Sequence, residues 1–191
     1  MLTHQIANGC EVFTDRLDTG LLWNEETFSA RWNSHPEERH VVRMFGRPIT
    51  VARWQQAYGT DYGYSGTRNV AQPIPVELLP LLGWASYHVD ERLNGLLVNW
   101  YDGPRDHISC HRDDARDLVP AAPIVTISFG ETRTFRLEQG RGSERLTRDI
   151  DLRDGDVLIL PAATNRAWKH SVPARQAYRG RRISVTLRAF V

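Results

Sequence analysis

The sequence predicts a mainly β, α+β fold: a barrel or two-sheet jelly roll with helices ahead of it. Three observations carry this. Short runs rich in β-branched and aromatic residues, among them GLLVNWY, PIVTISFG, DVLILP and RRISVTLRAFV, recur at close intervals after residue 93, as strands of all-β layers do. Turn signals such as DGPRD and GRGS separate them. Helical patterns fall before residue 94, and helices followed by a block of short strands fit an α+β arrangement around a barrel or roll. A chain of 191 residues suits one domain and is long enough to bury its own core. Residues 1–93 are then an N-terminal extension carrying the helices, and residues 94–191 the core.

Taken in order, NEETFSARWN starts a helix at Asn24, with acids in its first turn. TVARWQQAYG is a strand or a short helix. PVELLPLLGWASYHVDERL predicts a helix from about Val76 to Leu93, with Pro80 early in it or just before its main part. GLLVNWY is a strand, and HISCHRD a short strand or extended segment. RTFRLEQ alternates and leads to a hairpin tip at GRGS. DVLILP is a buried strand, and RRISVTLRAFV closes the chain.

The formal net charge of +1 gives no global attraction to nucleic acid or anionic membrane. Arginine is nevertheless clustered in 131–153 and in RQAYRGRR, and Lys169 is the sole lysine. These clusters are either a local basic surface or the sequence's habitual choice of cation. No apolar run approaches the roughly 20 residues of a membrane span, and MLTHQIANGCEVFTDRLDTG is too polar and acidic for a secretory signal. A cytoplasmic protein with no membrane association is expected. Cys10 and Cys110 form no zinc-like or CxxC pattern, and each is expected as a small buried hydrophobe.

Strand parity gathers the polar residues. Side chains alternate faces along a strand, so His111 and Asp113 share one face while Cys110 and Arg112 take the other. Asn99 and Tyr101 likewise share a face. In the last strand Arg182, Ser184, Thr186 and Arg188 lie opposite Ile183, Val185 and Leu187. That alternation describes either a half-exposed antiparallel strand or a pocket wall whose arginines want an anion, a carboxylate fitting the guanidinium fork. A His-x-Asp pair with His170 as third ligand has the composition of the two-His, one-carboxylate site of non-haem Fe(II) oxygenases. A zinc hydrolase site from His107, His111 and Asp113 is the competing reading. It needs a helix to bring i and i+4 together, and DHISCHRD has no helix start.

The order Asn99-x-Tyr101, His111-x-Asp113, PIVTISFG, His170, Arg182, Arg188 resembles the AlkB family of Fe(II)/2-oxoglutarate dioxygenases. The spacings fit too: 111−99 = 12, 182−170 = 12 and 188−182 = 6. The likeness runs from about Val42 to Phe190 and is nearest the double-strand DNA repair subgroup, which MFGRPITVARWQQAYGTDYGYSG also resembles. It implies a double-stranded β-helix (jelly roll) with flanking N-terminal helices on the substrate side. It implies Fe(II) on His111, Asp113 and His170, with O₂ and 2-oxoglutarate as cosubstrates. Asn99, Tyr101, Arg182 and Arg188 match positions that hold or cover 2-oxoglutarate, with Arg182 on its far carboxylate and Arg188 near the metal end.

The resemblance further implies oxidative dealkylation of nucleobases by a monomer acting on nucleic acid, DNA rather than RNA. Phe45 matches a wedge that enters the base stack, and Tyr62 and Tyr64 match aromatics around an extruded base. Extrusion costs a few kcal/mol, which a wedge and stacking partly offset. Arg112 and the hairpin 141–148 would meet phosphates. One position departs from the pattern. Repair members carry an acid two residues after the metal Asp, where this chain has Ala115. Ala can neither donate nor accept, so a hydroxylase of a small molecule or amino acid on the same scaffold is the alternative.

Overall fold

Two antiparallel sheets face each other in the computed structural model. It describes residues 1–44, 47–64 and 67–191, the side chains of residues 43, 44, 62, 64 and 67–69 excepted. The strands, in chain order, are β1 (Leu2–Ala7), β2 (Cys10–Arg16), β3 (Val41–Met44), β4 (Arg47–Thr50), β5 (Trp54–Tyr58), β6 (Tyr62–Tyr64), β7 (Thr67–Asn69) and β8 (Gly95–Asp102). There follow β9 (Ile108–His111), β10 (Ile124–Gly130), β11 (Arg133–Gln139), β12 (Leu146–Leu152), β13 (Asp156–Leu160), β14 (Lys169–Val172) and β15 (Arg181–Arg188). The helices are α1 (Glu25–Trp32), α2 (Leu79–His88) and α3 (Ala162–Ala167). The major sheet runs β1-β2-β13-β10-β15-β8-β5 and the minor sheet β12-β11-β14-β9. Hairpins β3–β4 and β6–β7 stand apart. This is the jelly roll the sequence predicts.

The first half contributes more strand than expected. β1 and β2 extend one edge of the major sheet through β13, and β5 forms the other edge on β8. The β1–β2 hairpin turns at Asn8–Gly9, with φ of 54° and 72°. Two consecutive positive φ values are what a type I′ turn needs, and Asn-Gly is its favoured pair. TVARWQQAYG holds the strand β5 at Trp54–Tyr58 after a bend at 52–53, with residues 51, 53, 55 and 57 buried and 52, 54 and 56 half-buried.

α1 begins where the sequence places it. The Asn24 side chain accepts from the Thr27 N–H at 2.8 Å, and Glu25 and Glu26 occupy the first turn, a cap and a charge pattern that satisfy the helix N-terminus. α2 is shorter than the predicted Val76–Leu93. Residues 76–78 turn through Leu78 N–H to Pro75 O, so Pro80 sits at the start, where its missing N–H costs nothing. At the other end Asp90 accepts from the Arg92 backbone and guanidinium, which forms a local turn instead of a further helical one.

Helices α1 and α2 cover the outer face of the major sheet. Trp32, Leu81, Trp84 and Ala85 pack with Ile183, Val185 and Leu187 of β15 and with Leu96, Val98 and Trp100 of β8. β15 is therefore buried on both faces from Arg182 onward. Its polar face does not meet water; it looks into the space between the sheets. Phe135, Leu137, Leu158, Leu160 and Trp168 fill part of that space, leaving a cavity.

Candidate metal and cosubstrate site

The cavity, ≈ 280 Å³, is lined by Asn99, Tyr101, His111, Asp113, His170, Arg182, Ser184, Thr186 and Arg188 among others. β8 and β15 supply one wall through paired residues: Asn99 lies opposite Ser184 and Tyr101 opposite Arg182. β9 and β14 supply the other, with His111 opposite His170. Every residue that parity grouped on a shared polar face is on a wall of this one space.

At the minor-sheet end His111, Asp113 and His170 bring their ligand atoms within 4.8 Å of one another, the one such cluster of potential metal ligands among the described residues. His111 Nε2 and His170 Nε2 lie 3.3 and 3.8 Å from Asp113 Oδ1. His111 Nδ1 is 2.9 Å from Ser109 O; with Nδ1 donating there, Nε2 keeps its lone pair for a metal. Arg188 takes the other carboxylate oxygen, Nε and Nη2 lying 2.8 and 2.7 Å from Asp113 Oδ2. Burial alone would raise Asp113, but Arg188 and the two imidazoles hold its carboxyl well below the usual range. Burial, then the neighbouring His111, pull His170 down to about 3, so its ring is neutral. An ionised carboxylate and a neutral imidazole are the ligand states a divalent metal needs.

The other end is shaped for an anion. The Arg182 side chain is buried, and its Nη2 donates to Ser128 Oγ at 2.8 Å. Its Nε and Nη1 make no hydrogen bond of good geometry to the protein, the neighbouring Tyr101 being the group that most favours the charged guanidinium. Burial, with Arg133 adding repulsion, lowers the Arg182 guanidinium from its usual value. A buried cation with idle donors is costly, and a carboxylate would satisfy it. The donor set thus fits Fe(II) at one end and the far carboxylate of a 2-oxo diacid at the other.

Several predicted residues have other work. Asn99 Oδ1 accepts from Arg53 Nε at 2.7 Å, and Arg53 Nη2 donates to Gln55 Oε1. Arg53, in the bend just before β5, is a buried wall residue that the sequence does not single out; its even spacing from Gln55 is the signal that points to it. Arg133 is also new: fully buried, 5.2 and 4.6 Å from the Tyr101 and Tyr178 ring centroids, and donating to Asp106 O and Gly103 O. His107 lies near Arg105 O at 2.8 Å and is outside the metal cluster, and Ile108–His111 is strand, so the zinc arrangement has no helix to build it. Arg112 is exposed and opens, with Arg141, Arg145 and Lys169, on an outer groove. The cysteines are not the buried hydrophobes expected: Cys10 is half-buried and Cys110 exposed beside that groove. Ala115 is exposed, and its neighbour Asp114 is engaged by Arg116. Phe45 and the side chains of Tyr62 and Tyr64 lie outside the described residues.

A two-sheet roll holding two imidazoles and one carboxylate opposite a buried guanidinium has the ligand set of the non-haem Fe(II) oxygenases. The chain belongs to the 2OG-Fe(II) oxygenase superfamily, whose family model matches residues 20–188. It is 34% identical over 157 residues to the human DNA oxidative demethylase ALKBH2, covering 77% of this chain and 60% of that protein. It is 26% identical over 197 residues to the Arabidopsis thaliana protein of that name, covering 92% and 60%. It is 32% identical over 142 residues to the rat alpha-ketoglutarate-dependent dioxygenase alkB homolog 3, covering 69% and 48%. The chain thus spans about half to two thirds of these relatives' lengths. The solved structure of OsALKBH1 superposes with TM-score 0.59 over 98% of this chain and 99% of that one at 16% identity, a likeness of fold. No described helix is long and apolar enough to cross a membrane.

Proposed function

We propose that the chain is an Fe(II)/2-oxoglutarate-dependent dioxygenase that removes alkyl groups from nucleobases, in DNA before RNA, as a cytoplasmic monomer. The observation that carries the reading is the pairing, in one cavity, of the His111–Asp113–His170 cluster with the buried Arg182 whose Nε and Nη1 lack a well-aligned protein acceptor. The relatives named as DNA oxidative demethylases support the substrate class.

In this reading His111, Asp113 and His170 hold Fe(II). The metal, with 2-oxoglutarate and O₂, supplies the oxidation of a C–H bond to C–OH with release of succinate and CO₂. The chain's own residues do the rest. Arg182 and Tyr101 fix the far carboxylate of 2-oxoglutarate, which sets the reach of its oxo-acid end toward the metal. Arg188 keeps Asp113 ionised and turned, leaving Oδ1 toward the imidazoles. Ile124, Phe135, Leu158 and Leu160 make the neighbouring wall apolar, which strengthens the ion contacts by keeping water out. An N-hydroxymethyl product breaks its C–N bond, giving formaldehyde and the bare base. Phe45, Tyr62 and Tyr64 would serve extrusion of the base, and the outer groove of Arg112, Arg141, Arg145 and Lys169 would meet phosphates.

The exposed Ala115 favours a second reading, hydroxylation of a small molecule or amino acid. Succinate formation against a panel of methylated single- and double-stranded oligonucleotides separates the two. Stimulation by an alkylated strand is expected, and none with any member of the panel overturns the nucleobase reading.

A further inference from the structure

The metal carboxylate sits where its strand has already ended. β9 stops at His111, which pairs with His170 of β14. Continuing that register would set Arg112 against Lys169 and Asp113 against Trp168. Trp168 is not available as a ladder partner: its N–H donates to Thr164 O at 2.8 Å as the C-cap of α3. Asp113 is nevertheless buried, and buried backbone groups need partners.

Asn165 supplies them. Its Oδ1 accepts from Asp113 N–H at 3.1 Å, and its Nδ2 donates to Asp113 O at 3.2 Å. One carboxamide thus gives the donor and acceptor that a neighbouring strand residue would offer. Asn165 is itself buried, on the helix that leads directly into His170. We infer that Asn165 is a positioning residue for the metal centre: a side chain standing in for the missing strand, which fixes the Asp113 backbone so that its carboxylate meets the two imidazoles. α3 thereby sets two of the three ligands together, Asp113 through this contact and His170 through the chain.

The inference rests on the metal reading of His111, Asp113 and His170, and its test keeps the two apart. Fe(II) and Co(II) affinities of the full chain are measured anaerobically by equilibrium dialysis, with the intensity of the Co(II) visible absorption as a report on ligand geometry. Asn165→Ala removes both contacts. Asn165→Asp keeps the acceptor and loses the donor, and it decides alone where the alanine variant does not fold. Thr164→Val is the control for general loosening of α3, because Thr164 Oγ1 anchors the helix to Glu11 O at 2.7 Å without touching Asp113. Loss of an outer contact of this kind weakens metal binding about 10–100-fold. The expected order of affinity is parent and Thr164→Val, then Asn165→Asp, then Asn165→Ala, with altered Co(II) absorption only in the Asn165 variants. Affinity within twofold of the parent in the Asn165 variants overturns the inference, as does an equal loss in Thr164→Val. No binding by the parent chain overturns the metal reading and the inference with it.

Discussion

Replacing Arg182 with Met separates what the buried guanidinium does for a ligand from what it does for the fold. Nε and Nη1 are buried without a well-aligned protein acceptor, and Nη2 donates to Ser128. Each of the two idle donors, once met by a carboxylate, is worth about 1.5–3 kcal/mol as a charge-assisted bond. Two of them amount to about 3–6 kcal/mol, or roughly 10²–10⁴ in dissociation constant. Buried donors left without partners cost a fold about 1–3 kcal/mol each, and removing them offsets loss of the Ser128 bond. A Met side chain fills much of the same space without a charge. Arg182→Met is therefore expected to weaken 2-oxoglutarate binding, read by calorimetry with Co(II) in place and O₂ excluded, by at least 10². The metal-free protein is expected to melt no lower than the parent. Binding within threefold of the parent refutes the role given to Arg182. Normal binding loss with a large fall in melting temperature shows instead that the cation is built into the fold.

Three further outcomes follow from local contacts. Asn24→Ala removes the cap on α1 and is expected to cost about 1 kcal/mol, read as a lower urea midpoint with unchanged slope. Asp149, bonded to Arg136 and Arg175, has its carboxyl lowered by those contacts. A depressed folded value contributes stability above the unfolded value near 4 and loses it as pH falls. Being partly exposed, the cluster is worth no more than about 1 kcal/mol. Asp149→Asn should therefore trail the parent in urea at pH 7, and the gap should close as pH drops below about 4. Ala115→Glu adds an acid at an exposed position three residues before Leu118 and is expected to raise formaldehyde release from methylated oligonucleotides. An unchanged rate shows that the missing acid does not limit base recognition.

Parity in the sequence carried a large part of the site. Arg182, Ser184, Thr186 and Arg188 were legible as one face of one strand, because strand alternation is local. Whether that face met water was not legible, since the answer lies with Trp32, Leu81 and Trp84, helix residues that cover the opposite face. Asn8–Gly9 carried an explicit hairpin signal that the even spread of polar residues around it obscured. Arg53, Arg133 and Asn165 were not legible as functional residues. Their partners lie 46, 27 and 52 positions away for Asn99, Asp106 and Asp113, and alternation gives a face, not a partner. Asn165 is hidden further because its role arises where a strand stops, and the end of β9 is set by the C-terminal end of α3 elsewhere in the chain.

The most direct measurement is the mass of a methylated duplex oligonucleotide after incubation with the Fe(II)-loaded chain, 2-oxoglutarate and O₂. The account predicts loss of the methyl group with formaldehyde and succinate formed in equal amounts, and no change with Asp113→Ala. An unaltered oligonucleotide mass, with succinate formed at the same rate whether or not any alkylated nucleic acid is present, contradicts it.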